Sequence, residues 1–280
     1  MKWKNGLRLA VILLLTVIMI FSAVKLVQIK VEYDTGEAIY EAAVNEFIAH
    51  PEAMTPLEDS FEENQDGTES AAVPEQEPDA VDVNKEDYPD LGIDFEKLRQ
   101  VNPDIIGWIW IPDTRINFPL VQGEDNDMYL HTAYNLESSR FGSIFMDYRN
   151  NADFTDANTI IYGHNMRTDA MFGTLSDFED PEFAGAHTDL YIYTPEATFY
   201  YKIFSAYTAK TDEFPYVIRF TQETSHESFL QFIVEESVSL KREEPLTVHD
   251  RILTLSTCLS TSSYQKRFVV HGVLMSGSLD

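Results

Sequence analysis

Apolar positions follow three different patterns along this chain. Leu9 to Val24 is an unbroken apolar run that continues through Lys25 to Ile29, with Lys2, Lys4 and Arg8 ahead of it. The unbroken part is slightly short of the roughly 20 residues a helix needs to span a bilayer core. Lys25 can extend the span by placing its ammonium at the interface. The basic cluster on the N-terminal side predicts a single pass through the cell membrane, with a cytoplasmic N-terminus and an extracellular remainder. No small-x-small cleavage site follows the run, which favours a retained anchor over a cleaved signal peptide. Next, Ile39, Ala43 and Phe47 recur at helical spacing between Asp34 and His50. Residues 51–89 then mix Pro, Glu, Asp, Gln and Ser with few large apolar side chains, a composition that cannot bury enough surface to fold alone. The expected division is residues 1–30 as tip and transmembrane anchor, 31–93 as an acidic spacer, partly helical or disordered, and 94–280 as one folded domain.

Within that domain the pattern changes to short strand-like segments. Asp94 is placed to cap a helix over Phe95 to Val101, which Asn102-Pro103 ends. Ile105 to Ile111 and Asn117 to Gln122 read as a hairpin across Pro-Asp-Thr-Arg, with Pro119 indicating an edge or irregular strand. Ser143 to Met146 and Thr159 to Tyr162 are short strands, and Leu190 to Tyr193 with Thr198 to Tyr207 form a second hairpin. Helices are expected over Ala170 to Phe178 and over Ser225 to Leu240. The second has Ser225 as a simple N-cap and an apolar stripe of Phe229, Phe232, Ile233 and Val238. Arg251 to Thr257 and Arg267 to Met275 close the set. Many short strands with few helices predict a mainly β fold with helices, built as a closed or nearly closed barrel.

Charge narrows the partners. The formal net charge is −27, so nothing here can neutralise nucleic-acid phosphates in quantity, and docking on an anionic lipid surface is disfavoured. No Lys or Arg occurs between Lys30 and Lys85, so much of the acidity sits in the spacer, which should extend by self-repulsion. The acidic clusters lack EF-hand spacing, and the histidines have neither metal-ligand spacing nor cysteine partners. No metal and no cofactor are expected.

Three residues remain as candidate chemistry. Cys258 is the only cysteine, ending the run Arg251-Ile-Leu-Thr-Leu-Ser-Thr-Cys258. An unpaired thiol outside the cell points to a partner chain or to reactivity, although a lone strand cysteine is usually a small buried hydrophobe. His164 follows the strand-like Thr159-Ile-Ile-Tyr-Gly163, where Gly163 would allow a tight turn that aims the imidazole. Arg267 opens the last strand and carries a permanent charge suited to a developing oxyanion. Each alone has a plain structural alternative. Together, a thiol with His164 or Arg267 as its positive neighbour is a recognisable reactive setting.

Thr254-Leu-Ser-Thr-Cys258, the downstream Arg267 and the upstream Tyr162-Gly-His164, behind an N-terminal anchor, resemble the sortases of Gram-positive bacteria. The segments Asn102-Pro-Asp-Ile-Ile-Gly-Trp108, Asp125-Asn-Asp-Met-Tyr-Leu130-His and Gly142-Ser-Ile-Phe-Met-Asp147 are similar to class B members, as is a helix before the cysteine strand. The resemblance implies an eight-stranded sortase-type β-barrel behind the membrane helix and a helical extension, with residues 94–280 as the catalytic domain. It implies a cysteine transpeptidase in which Cys258 is the nucleophile, His164 the acid/base and Arg267 the oxyanion holder. Asn126, Leu130, Tyr162 and Ser256 would line the substrate groove. The implied partners are secreted proteins bearing a sorting signal, and an amine of the peptidoglycan precursor or cross-bridge. Pilin polymerisation and peptide binding without catalysis are the alternatives. A hydrolytic cysteine protease would want an Asn or Asp orienting the histidine, and nothing near the motifs nominates one.

Overall fold

The computed structural model describes residues 2–54, 88–166, 168, 170–210, 214–242, 244–258 and 266–279. By compactness the chain divides into residues 1–42 and 43–280. The first unit is helical: α1 runs over Lys2–Phe47, into the second unit. From Ile12 on it is long and apolar enough to cross a membrane, with a mean hydropathy of 2.4, and Leu14, Met19 and Leu26 are exposed along it.

The second unit is an eight-stranded closed barrel. Its strands are β1 (Ile105–Trp110), β2 (Asn117–Val121), β3 (Ile144–Met146), β4 (Asn158–Gly163), β5 (Asp189–Tyr193), β6 (Ala197–Lys210), β7 (Ile252–Cys258) and β8 (Lys266–Leu279). Around the barrel they run β1-β2-β3-β4-β7-β8-β6-β5. Two pairings are parallel, β2 with β3 and β4 with β7, and the others are antiparallel. Closure leaves no edge strand. Of the two expectations for Pro119, the irregular pairing is found and the edge is not: the β1–β2 register shifts between Ile105 and Gly107, Pro119 pairs with Trp108 on β1, and the contact with β3 begins one residue later at Leu120, so the missing N–H interrupts no ladder on that side.

The helices show where local signals compete. α2 occupies Phe95–Val101, and the Asp94 carboxylate accepts from the Lys97 N–H at 3.0 Å, as a capping residue should. Over 170–178 the expected helix is replaced by a 3-10 helix at Gly173–Glu179. Phe172, Leu175 and Phe178 lie three residues apart and are all buried, and only a three-residue turn superimposes them on one face. Asp180 then caps α3 (Pro181–Ala186), accepting from the Glu182 N–H at 2.8 Å with proline in the first turn. α4 covers Glu223–Glu235 instead of Ser225 to Leu240, and its N-cap is Gln222, without a side-chain bond. Ser225 is already inside the first turn and donates back to the Gln222 carbonyl at 2.6 Å, so it does not cap. Phe229 and Ile233 are fully buried against Phe204, Tyr207 and Val269 of the barrel wall, whereas Val238 lies beyond the helix end and is exposed. Burying side chains of this size contributes roughly 1.5–3 kcal/mol each.

Within the second unit, the chain on either side of residues 55–87 is pinned together. The N–H groups of Ala49 and His50 donate to the carbonyls of Gly92 and Leu91, and the Asp94 N–H to that of Phe47. Of the expected spacer, residues 55–87 lie outside the described residues, while Pro51–Met54 forms a 3-10 turn and Tyr88 donates to the Ser276 hydroxyl.

Candidate active site

The barrel register brings the three candidate positions into one row. β4 and β7 are parallel, with Tyr162 level with Ser256 and Gly163 level with Thr257. His164 follows directly beyond the end of β4, and Cys258 is the next and last residue of β7. On the other side of β7, Cys258 pairs directly with Arg267 of β8. Neighbouring strands lie about 4.8 Å apart, so thiol, imidazole and guanidinium positions come from adjacent strands at one end of the barrel, although they are 94 and 9 residues apart in sequence.

His164 is held from the opposite side. Its Nε2 lies 2.8 Å from the Leu130 carbonyl oxygen. A carbonyl can only accept, so Nε2 carries the hydrogen and Nδ1 holds the lone pair of the neutral ring. Burial pushes the His164 pKa below its ordinary value of 6.5; the Leu130 bond opposes this, and the charges of His131 and Arg267 add to the lowering. The His131 ring is stacked 6.2 Å away. Replacing His131 with alanine should therefore move the His164 titration upward, as read by NMR of its ring protons; a downward move would contradict this electrostatic assignment.

The Leu130 carbonyl is itself fixed by its own turn and by two segments distant in sequence. The 3-10 turn Met128–Leu130 begins where Asp125 accepts from the N–H groups of Asp127 and Met128. The fully buried Tyr129 donates its phenol to Asp104 at 2.8 Å and accepts from Asn102 at 2.9 Å. Gly142, at φ +57°, lies so close that a Cβ there would sit 2.5 Å from the Tyr129 oxygen and 2.6 Å from the Leu130 oxygen. Gly142→Ala is expected to cost at least about 1–2 kcal/mol in chemical denaturation, the penalty of a left-handed Cβ alone, and to disturb His164 through the displaced carbonyl. Gly163 acts differently from expectation. Its role is close approach, since a Cβ would come within 2.5 Å of Ile144 and 2.8 Å of Phe172, and it does not adopt a positive φ.

Beside the row lies a groove of about 520 Å³, lined by Asn126, Asp127, Leu130, Phe145, Arg149, Tyr162, Gly163, Tyr216, Val217 and Arg267. Asn126, Leu130, Tyr162 and Arg267 are on it. Ser256 is not. It is fully buried, and its hydroxyl shares a 3.0 Å hydrogen bond with the Tyr216 phenol, so it touches the groove through Tyr216. A second cavity, about 580 Å³, lies between α4 and residues 242–249, away from the row.

Sequence reasoning gave no role to the residue that organises the groove. Asp147, with a fully buried side chain, accepts from the Nε and Nη2 of Arg149 at 2.8 Å each, from Asn126 at 3.1 Å and from the Tyr162 phenol at 3.0 Å. Burial alone would raise its carboxyl pKa, but the Arg149 pair, the Arg149 N–H and the Asn126 amide together bring it below the ordinary value of 3.8. Tyr162 is pushed well upward by burial and by the Asp147 charge, so it stays a neutral donor. Above it, the Arg267 guanidinium carbon lies 5.9 Å from the Tyr162 ring centre, a cation–π distance.

The sortase domain family model matches residues 109–275. The chain belongs to the sortase family. Sortases are cysteine transpeptidases, and that is the enzyme class of this chain. It is 39% identical to the sortase B of Listeria monocytogenes over 183 residues, covering 65% of this chain and 74% of that protein. Among solved structures it is similar to the sortase B of B. anthracis in complex with AAEK1, at 34% identity and a TM-score of 0.66, covering 88% of this chain and 99% of the other. It is also similar to a Staphylococcus aureus sortase B–substrate complex, at 35% identity and a TM-score of 0.61, covering 65% and 84%. The sortase barrel thus accounts for the parallel β4–β7 pairing that forms the row.

Proposed function

We propose that this sortase cuts a C-terminal sorting signal of the Leu-Pro-x-Thr-Gly-like or Asn-Pro-x-Thr-Asn/Gly-like kind after its threonine and joins the protein to an amine of the cell-wall peptidoglycan. The open nitrogen of neutral His164 takes the Cys258 thiol proton as the sulfur attacks the threonine carbonyl. The C–N bond breaks as a C–S thioester forms, and His164 passes that proton to the leaving amine. An incoming amine then attacks the thioester and loses its proton to His164, which returns it to the departing sulfur. One acid/base group serves both half-reactions. No nucleotide is required, because the thioester conserves the acyl group in reactive form between the two steps. Arg267 supplies fixed positive charge to the tetrahedral oxyanion.

The row of positions 164, 258 and 267 beside one groove carries this reading. The groove volume is within the range of about 300–1,000 Å³ usual for ligand sites. A related S. aureus sortase B has been solved with its substrate, which supports assigning the groove to a peptide. The apolar stretch of α1 from Ile12, with Lys2, Lys4 and Arg8 ahead of it, would hold the domain outside the cell membrane and its N-terminus in the cytoplasm. The test is a fluorogenic sorting peptide offered with and without an amine acceptor, with intact-mass spectrometry of the enzyme. The expected result is faster turnover with amine and an acyl adduct on Cys258. Cleavage indifferent to amine, or an adduct absent under slow turnover, would reject it.

A further inference from the structure

On the face of the barrel wall that α4 covers, a chain of buried polar side chains runs from β6 and β8 to the groove wall. The Tyr207 phenol lies 3.2 Å from His271 Nε2, and His271 Nδ1 lies 3.0 Å from Thr254 Oγ1. Thr254 Oγ1 is 2.7 Å from Asn158 Oδ1. The Asn158 Nδ2 then reaches two carbonyl oxygens, of Pro215 at 2.9 Å and of Val217 at 2.8 Å. Asn158, Thr254 and His271 are fully buried.

The donors in this chain have one consistent assignment. Two carbonyls require the Asn158 nitrogen on their side, which leaves its oxygen to accept from Thr254. The Thr254 hydroxyl has one hydrogen, already used, so it accepts from His271 Nδ1–H. His271 Nε2 then accepts from Tyr207. The neutral ring this needs agrees with its burial, which lowers the His271 pKa to about 3. The carbonyls of the residues on either side of Tyr216 are therefore tied to one buried side chain of the barrel wall, and Tyr216 stands between Ser256 and a stacked Tyr162 ring 6.5 Å away.

We propose that Asn158 is a positioning residue for the peptide groove: its amide holds the carbonyls of Pro215 and Val217, and so keeps the Tyr216 wall in place, while Thr254, His271 and Tyr207 dictate the amide's orientation. This rests on the groove being the peptide site. Asn158→Asp keeps the shape but replaces both donors by an acceptor facing two carbonyls.

The test uses the full chain in detergent micelles. For Asn158→Asp, the KM for a sorting peptide should rise about tenfold, as for loss of one good hydrogen-bonded contact, with kcat within about twofold. In the double variant Asn158→Asp/Tyr216→Ala, KM should match Tyr216→Ala alone, because both changes act through the same wall. Deuterium uptake should rise over residues 215–218 while residues 229–233 stay protected. An unchanged KM, additive effects, or uptake spread evenly through the barrel would overturn the proposal. If Asn158→Asp does not fold, Thr254→Val removes the hydroxyl that orients the amide and should give the same effects, smaller in size; wild-type KM and uptake in that variant would equally overturn it. If the unaltered enzyme cleaves no sorting peptide, the peptide reading fails, and the uptake measurement still decides whether Asn158 anchors the wall.

Discussion

Cys258→Ala should lower peptide cleavage by at least about 10⁴-fold, since removing a covalent nucleophile leaves only binding and electrostatic assistance. The strand around it should survive. Residue 258 is the last of β7, and its pairing with Arg267 is made by main-chain groups that alanine also has. The thermal unfolding midpoint is therefore expected to stay close to that of the unaltered enzyme, and a sorting peptide should still bind. Measured together, cleavage, melting and peptide binding separate a chemical role from a structural one. Cleavage persisting at more than a few per cent would mean that another group attacks the carbonyl, and a collapsed melting transition would mean that the thiol is a packing element.

How much of this was legible in the sequence differs by feature. The strands were readable because β-branched and aromatic residues crowd segments such as Thr159-Ile-Ile-Tyr162, and the observed bounds fall within a few residues of expectation. α2 was readable from its capping aspartate. The Gly173–Glu179 turn was misread as a longer helix because the three-residue spacing of Phe172, Leu175 and Phe178 also fits loosely to a helical period. Asp180-Pro181 carries a start signal for α3, a capping carboxylate followed by proline in the first turn.

The site followed the same division. Cys258, His164 and Arg267 stood out individually, but their alignment depends on a parallel β4–β7 pairing between strands 94 residues apart, which no local pattern encodes. The three segments marked for their resemblance to class B enzymes turn out to meet at one place. Asn102 and Asp104 grip Tyr129, Gly142 admits its backbone, and Leu130 holds His164. Their spacing in sequence says nothing of that convergence. The resemblance implies Ser256 as a groove residue, but what covers its face of β7 is Tyr216, from a segment with no sequence signal of its own.

Asp147 illustrates the largest such gap, and its removal should have the largest effect on stability. Asp147→Ala leaves the Tyr162 phenol and the Asn126 amide without their acceptor and Arg149 without its bidentate partner. Breaking a buried pair typically costs roughly 3–5 kcal/mol. Here the Arg149 side chain is 48% exposed and can turn to water, so the expected loss is near the lower end, about 3 kcal/mol by chemical denaturation. The sign of the pH dependence follows from the lowered carboxyl pKa. The unfolded chain binds the proton first, so the contribution of Asp147 is fully present above its ordinary value of 3.8 and is lost as pH falls through the lower folded value. The difference in unfolding free energy between the enzyme and Asp147→Ala should accordingly be constant near neutrality and shrink only in strong acid. Because Tyr162 lies beneath Arg267, the variant should also raise KM for the sorting peptide. A gap that closes between pH 5 and 7 would show that the stabilisation comes from another titrating group, and an unaltered KM would show that the carboxylate supports the barrel without shaping the groove.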